Sequence, residues 1–289
     1  MRRWPSWSGW SSTASARIER LQPVRKRITG FSNPTVKAIR ALRDKKHRRE
    51  ERRFLAEGLR LLTDARESGR IPETLLMAEG REAHPLLDAL EHAVDEAGGE
   101  VLELAPDLLA KVTGKDNPQA VAGVFAEWPT GLDTIDRTTA PLVLVAQALR
   151  DPGNLGTMLR TADAVGAGGL ILLDDCADPF SVEAVRASMG AIFTIPLARA
   201  RWEEFLPWLR AGLGQLVAAS LREAVPYRGA AYRAPCFVLV GNESRGLPAD
   251  YEAACDLRVT IPMRGRADSL NAAVAAAVLA YEVDAALRR

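Results

Sequence analysis

The stretch CFVLVGNESRGLP, residues 236–248, joins an uninterrupted apolar run to a turn that contains Gly241 and Gly246. Such a run predicts a strand covered on both faces, as in a parallel sheet flanked by helices. Glycines at the carboxyl end of a strand let the backbone approach a ligand closely. We therefore expect a ligand site at Gly241, although a strand and an ordinary turn would give the same pattern.

Similar runs on either side of this stretch predict a sheet. The strands expected in the C-terminal half are Leu142–Ala146, Leu170–Leu173, Ile192–Ile195, Leu216–Ala219, Cys236–Val240 and Arg258–Ile261, with helices between them. Alternating strands and helices indicate an α/β domain.

The N-terminal half shows a second, shorter alternation. Its expected elements are a basic helix in Pro34–Arg53, strands Phe54–Ala56, Thr74–Ala78, Val101–Leu104 and Val121–Ala126, and helices Gly58–Ser68 and Pro85–Ala97. The resulting division is a flexible N-terminal extension (1–30), the basic helix with a small α/β domain (31–128), a polar, proline-bounded linker (129–141) and a larger α/β domain (142–289).

The segment DPGNLGTMLR, residues 151–160, directly follows the first strand of the larger domain. Asp151-Pro152-Gly153 is a turn sequence, and Asn154 is expected to cap a helix that ends near Val165. A well-capped strand–helix unit is the ordinary explanation for Asn154. Arg160 lies in an otherwise mostly apolar helix, where a guanidinium needs a partner, and a substrate phosphate would serve.

A third segment is Ile261-Pro262-Met263, followed after a charged loop by Ser269-Leu270-Asn271 and an Ala-rich helix to Leu287. Either Ser269 or Asn271 is expected to cap that helix. The side chain that does not cap is then free to act in a site.

Composition limits the function. With 289 residues, 47% of them hydrophobic and 26% charged, the chain fits two soluble domains. No apolar run reaches the roughly 18 residues that span a membrane, so no membrane partner is expected. The three cysteines are far apart in the sequence, which indicates reduced thiols in a cytoplasmic protein. The three histidines are scattered as well, so we expect neither a metal site nor a Ser-His-Asp triad.

Charge is unevenly distributed along the chain. Arg17 to Arg60 contains 15 Lys or Arg against 5 Asp or Glu, a net +10, whereas the whole chain carries +1. A basic segment on an acidic body favours a polyanion such as RNA, although a solvated helix face has the same statistic. Residues 1–16 are compatible with a tail, a transit peptide or a misplaced start codon.

Taken together, the three segments resemble the motifs of the SpoU/TrmH methyltransferases of the SPOUT superfamily. The first motif matches at Asn154 with Arg160, the second at Gly241-Asn242-Glu243 with Gly246, and the third at Ile261-Pro262-Met263 with Ser269-Leu270-Asn271. More loosely, Phe54-Leu55-Ala56-Glu57-Gly58 and Asn117-Pro118-Gln119 resemble the L30e-like substrate-binding domain found ahead of the catalytic one.

This resemblance implies a SPOUT α/β domain with a deep trefoil knot, a homodimer formed through the catalytic domain, and S-adenosylmethionine-dependent methylation of a ribose 2′-hydroxyl. The expected RNA is ribosomal, with tRNA as the alternative. Cofactor binding is expected at Val240, Gly241, Ile261, Met263 and Leu270, and catalysis at Asn154, Arg160, Glu243, Ser269 and Asn271. Arg160 would act as a base or as a phosphate-bound positioning group. Val274, Val278 and Tyr281 would line the dimer helix.

Two other functions stay open at the level of sequence. One is a catalytically silent RNA-binding protein of the same fold. The other is an α/β nucleotide-binding enzyme of a different family, but the chain contains neither GxGxxG nor GxxxxGK[ST].

Overall fold

The computed structural model describes residues 25–114 and 120–289, in which two sheets form. The elements of the first half are β1 (Arg25–Ile28), α1 (Pro34–Ala41), α2 (Lys45–Glu51), β2 (Arg53–Glu57), α3 (Leu59–Glu67), β3 (Thr74–Ala78), α4 (Pro85–Glu96), β4 (Glu100–Leu104), α5 (Pro106–Thr113) and β5 (Val121–Ala126). The strands lie in the order β1-β4-β3-β5-β2, with β2 and β5 antiparallel and β1, β4 and β3 parallel.

The second half contains a parallel sheet. Its elements are β6 (Leu142–Gln147), α6 (Pro152–Ala164), β7 (Leu170–Leu173), α7 (Val182–Ser188), α8 (Ala191–Thr194), β8 (Leu197–Ala200), α9 (Trp202–Arg210), β9 (Gln215–Ala219), β10 (Val225–Pro226), β11 (Cys236–Val240), α10 (Ala249–Ala253), β12 (Leu257–Thr260) and α11 (Ala272–Leu287). Its strand order is β10-β12-β9-β11-β6-β7-β8. The predicted α/β class is confirmed, and the knot stays an expectation from the resemblance.

The N-terminal boundary differs from the prediction. Residues 25–28, assigned to a flexible extension, form β1, which pairs in parallel with β4. Ile28 is buried, and Arg25 donates to Glu91 at 2.6 Å, so a salt bridge and a single apolar side chain stabilise a strand that has no apolar run. The extension is therefore wrong for these residues. Residues 1–16 and Asn117-Pro118-Gln119 lie outside the described residues.

Two further elements differ from the prediction. The basic helix is two helices, because α1 ends at Ala41 with Leu42 as its C-cap, and Asp44 then caps α2 by accepting from the Lys46 N–H. The strand expected at Ile192–Ile195 is the short helix α8, and the strand follows it as β8. A short apolar run does not distinguish a strand from a buried helical turn.

Each face of the parallel sheet carries its own core. Side chains that alternate along the strands face α6 and α11 on one side and α9 on the other. Gly156 lets α6 approach α7, since a Cβ there would lie 2.4 Å from the Cβ of Ala187. No helix of the described ranges is long and apolar enough to cross a membrane.

The two halves share one core. Phe54 and Phe125 of the first sheet pack against Phe180 and Phe193 of the second half, with ring centroids 4.9 Å apart for Phe54 and Phe180 and 5.0 Å apart for Phe125 and Phe193. Phe54 and Phe180 are fully buried. The segment expected as a linker also packs against the parallel sheet, since Ile135 is buried in the core on the α9 side of that sheet.

A buried ion pair fixes this interface. The Arg48 guanidinium of α2 donates to Asp178 at 2.7 Å and 3.0 Å, and also to the carbonyls of Leu42 and Arg43, each at 2.8 Å. The side chains of Arg48 and Asp178 are 3% and 8% exposed. Nearby, Arg186 donates to Glu57 at 3.1 Å across the same interface.

We predict that Asp178→Ala lowers the free energy of unfolding by about 3–5 kcal/mol, because it leaves the Arg48 charge buried without a counterion. The measurement is urea unfolding followed by tryptophan fluorescence. Asp175→Asn is the matched control, since the Arg150–Asp175 pair is exposed and is worth at most about 1 kcal/mol. Equal midpoints for the two variants would contradict the assigned role of the buried pair.

Candidate active site

The carboxyl ends of β9, β11 and β12 open into one cavity of about 400 Å³. All five predicted cofactor residues line it: Val240, Gly241, Ile261, Met263 and Leu270. Glu243 and Ser269 of the predicted catalytic set line it too. Adjacent parallel strands end at the same edge of a sheet, so loops far apart in sequence form a single wall.

Gly241 is needed for a reason the sequence did not indicate. A Cβ at this position would lie 2.6 Å from the carbonyl carbon of Gly246 and 2.7 Å from the nitrogen of Leu247. Closure of the loop on itself is thus a further reason for a glycine here, and its role in close approach of a ligand stays a prediction. That loop is held by an Asn242–Gly246 bridge, and the Asn242 side chain donates to the carbonyl of Ala148 at 2.9 Å.

A chain of hydrogen bonds joins the three segments. Asn271 Nδ2 donates to Asn154 Oδ1 at 2.9 Å, and Asn154 Nδ2 donates to Glu243 Oε1 at 3.0 Å. Asn271 also caps α11, since its Oδ1 accepts from the N–H groups of Ala273 and Val274. The Asn271 side chain therefore both caps α11 and contributes to the site, whereas the sequence pattern predicted that Ser269 and Asn271 divide these two roles.

Asn154 is not the cap of α6. That position belongs to Asp151, whose carboxylate accepts from the Asn154 N–H at 2.6 Å. The helix begins at Pro152, which is favoured in the first turn of a helix. Asn154 lies inside that turn, so its side chain is available for Glu243 and Asn271.

Arg160 is separate from this chain of hydrogen bonds. It is exposed on α6, on the same face as Thr157 and Ala164, and it forms no hydrogen bond or ion pair within the described ranges. The premise that an apolar helix buries this guanidinium is wrong, because the apolar residues of α6 lie on the other faces. Ser269 is also exposed, at the cavity wall.

The sequence missed one part of the cavity wall. Ser220 and Arg222 follow β9, and the buried Glu252 of α10 accepts from Ser220 Oγ at 2.6 Å. Arg222 lies 3.7 Å from the other carboxylate oxygen of Glu252. The loop after β9 could have been predicted to line the site, because loops at the carboxyl ends of parallel strands meet at one edge of a sheet. Nothing in the sequence indicates that Glu252 reaches the cavity.

The cysteines do not supply a nucleophile. Burial raises the pKa of Cys236 to about 12 and that of Cys176 to about 11. Burial also raises the pKa of Cys255 to about 12, so all three thiols are neutral near pH 7. No group of three His, Cys, Asp or Glu side chains with the arrangement of a metal site occurs in residues 25–114 and 120–289.

Comparison with known proteins identifies relatives of both halves of the chain. The SpoU rRNA Methylase family model matches residues 141–281, and the MRM3-like substrate binding domain model matches residues 33–123. The 23S rRNA (guanosine(2553)-2′-O)-methyltransferase RlmP of Bacillus subtilis is 34% identical over 89% of this chain and 99% of its own length. The 23S rRNA (uridine(2479)-2′-O)-methyltransferase of Streptomyces viridochromogenes is 34% identical over 93% of this chain and 95% of its own length.

A solved structure agrees in fold and sequence. The crystal structure of an AdoMet-bound rRNA methyltransferase from Sinorhizobium meliloti matches with a TM-score of 0.85 and 42% identity, over 91% of this chain and 98% of that chain. At this coverage the likeness extends over both halves of the chain. The chain therefore belongs to the SpoU rRNA methylase family.

Proposed function

We propose that this chain transfers the methyl group of S-adenosylmethionine to a ribose 2′-hydroxyl of ribosomal RNA. The observation that carries the proposal is the chain of hydrogen bonds from Asn271 through Asn154 to Glu243, beside a cavity at the carboxyl edge of the sheet. Family membership supports the same reaction, since relatives that match almost the whole chain are named as 23S rRNA 2′-O-methyltransferases.

The cavity fits the cofactor in size and charge. Its volume of about 400 Å³ lies within the usual range for small-molecule sites. Its wall combines apolar side chains with three carboxylates, those of Glu243, Glu252 and Asp268, against the two arginines Arg222 and Arg245. A net negative wall suits S-adenosylmethionine, whose sulfonium and ammonium together outweigh its single carboxylate. Leu270, 37% exposed, gains apolar cover when a ligand is present.

S-adenosylmethionine, when bound, supplies an electrophilic methyl group for in-line displacement. The protein's part is to hold the ribose oxygen in line and to stabilise the charge that develops. Asn154 and Glu243 are fixed by hydrogen bonds and present polar groups next to the cavity. Arg160 has all its donors free within the described part of the chain, and we assign it to a substrate phosphate. A guanidinium is a poor base, because it stays protonated in proteins.

The direct test is methylation of an unmodified 23S rRNA transcript with S-adenosylmethionine labelled in its methyl group, followed by mapping of 2′-O-methylated nucleotides. One modified ribose is expected. Cofactor binding without any transfer would favour the silent RNA-binding protein, and transfer to tRNA alone would assign the other substrate. The two relatives modify a guanosine and a uridine, so the mapped base is an independent result.

We predict that Arg160→Ala lowers single-turnover methylation by about 10²–10³, equivalent to roughly 3–4 kcal/mol, and leaves affinity for S-adenosylmethionine nearly unchanged. The reason is loss of a charge-assisted hydrogen bond outside the cavity. Arg160→Lys is expected to fail as well, since a point charge does not reproduce the bidentate fork. Methylation by Arg160→Ala at the wild-type rate would show that this residue has no part in the reaction.

We predict that Gly241→Ala weakens S-adenosylmethionine binding by about tenfold or more, because the added Cβ pushes against the backbone of Gly246 and Leu247 and opens the loop. Isothermal titration measures the affinity. Gly265→Ala is the control, since a Cβ there meets no atom within 4 Å. An unchanged affinity in folded Gly241→Ala would remove this loop from the cofactor site.

We also propose that the protein is a homodimer through α11. Val274 and Tyr281, seven residues apart on one face of α11, are 48% and 57% exposed, and Val278 lies between them. An apolar stripe of this kind favours a helix partner.

The three free cysteines support a reducing compartment, and we propose the cytoplasm.

We predict that Val274→Glu combined with Tyr281→Glu gives a monomer, because association would bury the new charges. Light scattering at micromolar concentration gives the mass. Leu213→Glu, at a side chain that is 77% exposed and outside α11, is the control and should leave the dimer intact. A monomeric mass for the wild-type protein with full activity would contradict the proposal.

A further inference from the structure

A second cleft lies beside the cavity at the carboxyl ends of β9, β11 and β12, which we call the cofactor cavity because we propose that it binds S-adenosylmethionine. It has a volume of about 590 Å³ and is lined by Gln147, Ala148, Arg150, Ser244 and Arg245, with further residues of the loop after β11. We call it the arginine cleft. The cofactor cavity lies on the β9 and β12 side of that loop, and the arginine cleft lies on the β6 side. The two sites are therefore separated only by the loop that starts at Gly241.

The arginine cleft carries excess positive charge. Arg245 is exposed and forms no ion pair with any residue of the described ranges. Arg150 donates to Asp175 at 2.8 Å, and both of these side chains are mostly exposed. The hydrogen bond and charge of Arg150, and then the charges of Lys45 and Arg49, hold the pKa of Asp175 below its usual value. Three cations, Arg150, Lys45 and Arg49, thus act on a single carboxylate, and Arg245 adds a fourth positive charge to the lining of the cleft.

Lys45 and Arg49 belong to α2, so the positive strip crosses from the N-terminal half to the catalytic half. Other cations of the basic segment are neutralised within the protein, as Arg25 is by Glu91 and Arg27 is by Glu79. Lys45 and Arg49 have no hydrogen-bonded acidic partner in the described ranges. The buried Arg48 of the same helix is bonded to Asp178, which fixes α2 relative to the cleft.

The cleft is also coupled to the cofactor cavity through its backbone. Ala148, at the end of β6, has a φ of +49°, a conformation that is uncommon for a residue with a Cβ. Its carbonyl accepts from Asn242 of the loop between the two sites at 2.9 Å. A ligand seated in the arginine cleft therefore contacts the same loop that forms the wall of the cofactor cavity.

We propose that the arginine cleft, with Lys45 and Arg49, binds the phosphodiester backbone of the RNA strand and leads it from the N-terminal half to the cofactor cavity. The inference rests on the proposed function. Arginine forks match phosphate oxygens in pairs, and exposed cations without partners are available for them. RNA fits better than a protein partner, because the lining has no exposed large apolar side chain that could anchor one.

The test compares binding of an unmodified 23S rRNA transcript across a salt series for Arg150→Ala, Arg245→Ala and the double variant Lys45→Ala/Arg49→Ala. Each lost phosphate contact should weaken binding on the order of tenfold and lower the slope of log K against log salt by about 0.7. Affinity for S-adenosylmethionine, titrated in parallel, should stay unchanged in Arg150→Ala and in Lys45→Ala/Arg49→Ala, because these residues do not line the cofactor cavity. Asp175→Asn should tighten RNA binding, by up to about fivefold, because it removes the carboxylate that is paired with Arg150.

Arg233→Ala is the matched control. Arg233 is an exposed arginine just before β11, at the opposite edge of the sheet, and its loss should change neither affinity nor slope. Wild-type RNA affinity and slope in Arg150→Ala and Arg245→Ala would overturn the proposal, as would a loss of cofactor affinity in Arg150→Ala. Methylation by the wild-type protein in either case would leave the proposed function intact, whereas a wild-type protein without transfer would contradict that function itself.

Discussion

The parallel pairing of β11 with β6 on one side and β9 on the other is the constraint on which the site depends. Because β12 continues the sheet beyond β9, the loops after β9, β11 and β12 leave the sheet at one edge. Each loop would be an ordinary turn by itself. Because the three loops leave the sheet at the same edge, together they form a cavity with both apolar and charged walls.

The interface between the two halves fixes the position of the N-terminal half relative to this edge of the sheet. Phe54 and Phe180 pack ring against ring, and Arg48 is bonded to Asp178 in a place that water hardly reaches. A buried pair of this kind is weak as a source of net stability but strict in geometry, since removal of either partner leaves an unpaired charge. The N-terminal half is thus held in a defined position relative to the cofactor cavity.

The loop from Gly241 to Gly246 lies between two sites and forms part of the wall of each. Toward β9 it forms a wall of the cofactor cavity, and toward β6 it forms a wall of the arginine cleft. Asn242 fixes the loop to Ala148, and Glu243 is fixed to Asn154. A methyl donor and the RNA that receives the methyl group would therefore meet at one short, well-anchored segment.

The sequence by itself determined the α/β class and most strand positions, because apolar periodicity and glycine-bearing turns are local properties. It also singled out five residues that line one cavity in the structure, and their part in cofactor binding stays a prediction. It could not determine β1, whose stability comes from β4 and Glu91, or the helical state of Ile192–Thr194, which depends on burial against the other half. Only the tertiary structure decided that Asn271 both caps α11 and bonds Asn154, that Arg160 is exposed, and that Glu252 reaches the cavity. These outcomes depend on which surfaces meet, and contacts between residues far apart in the chain leave no periodic mark in the sequence.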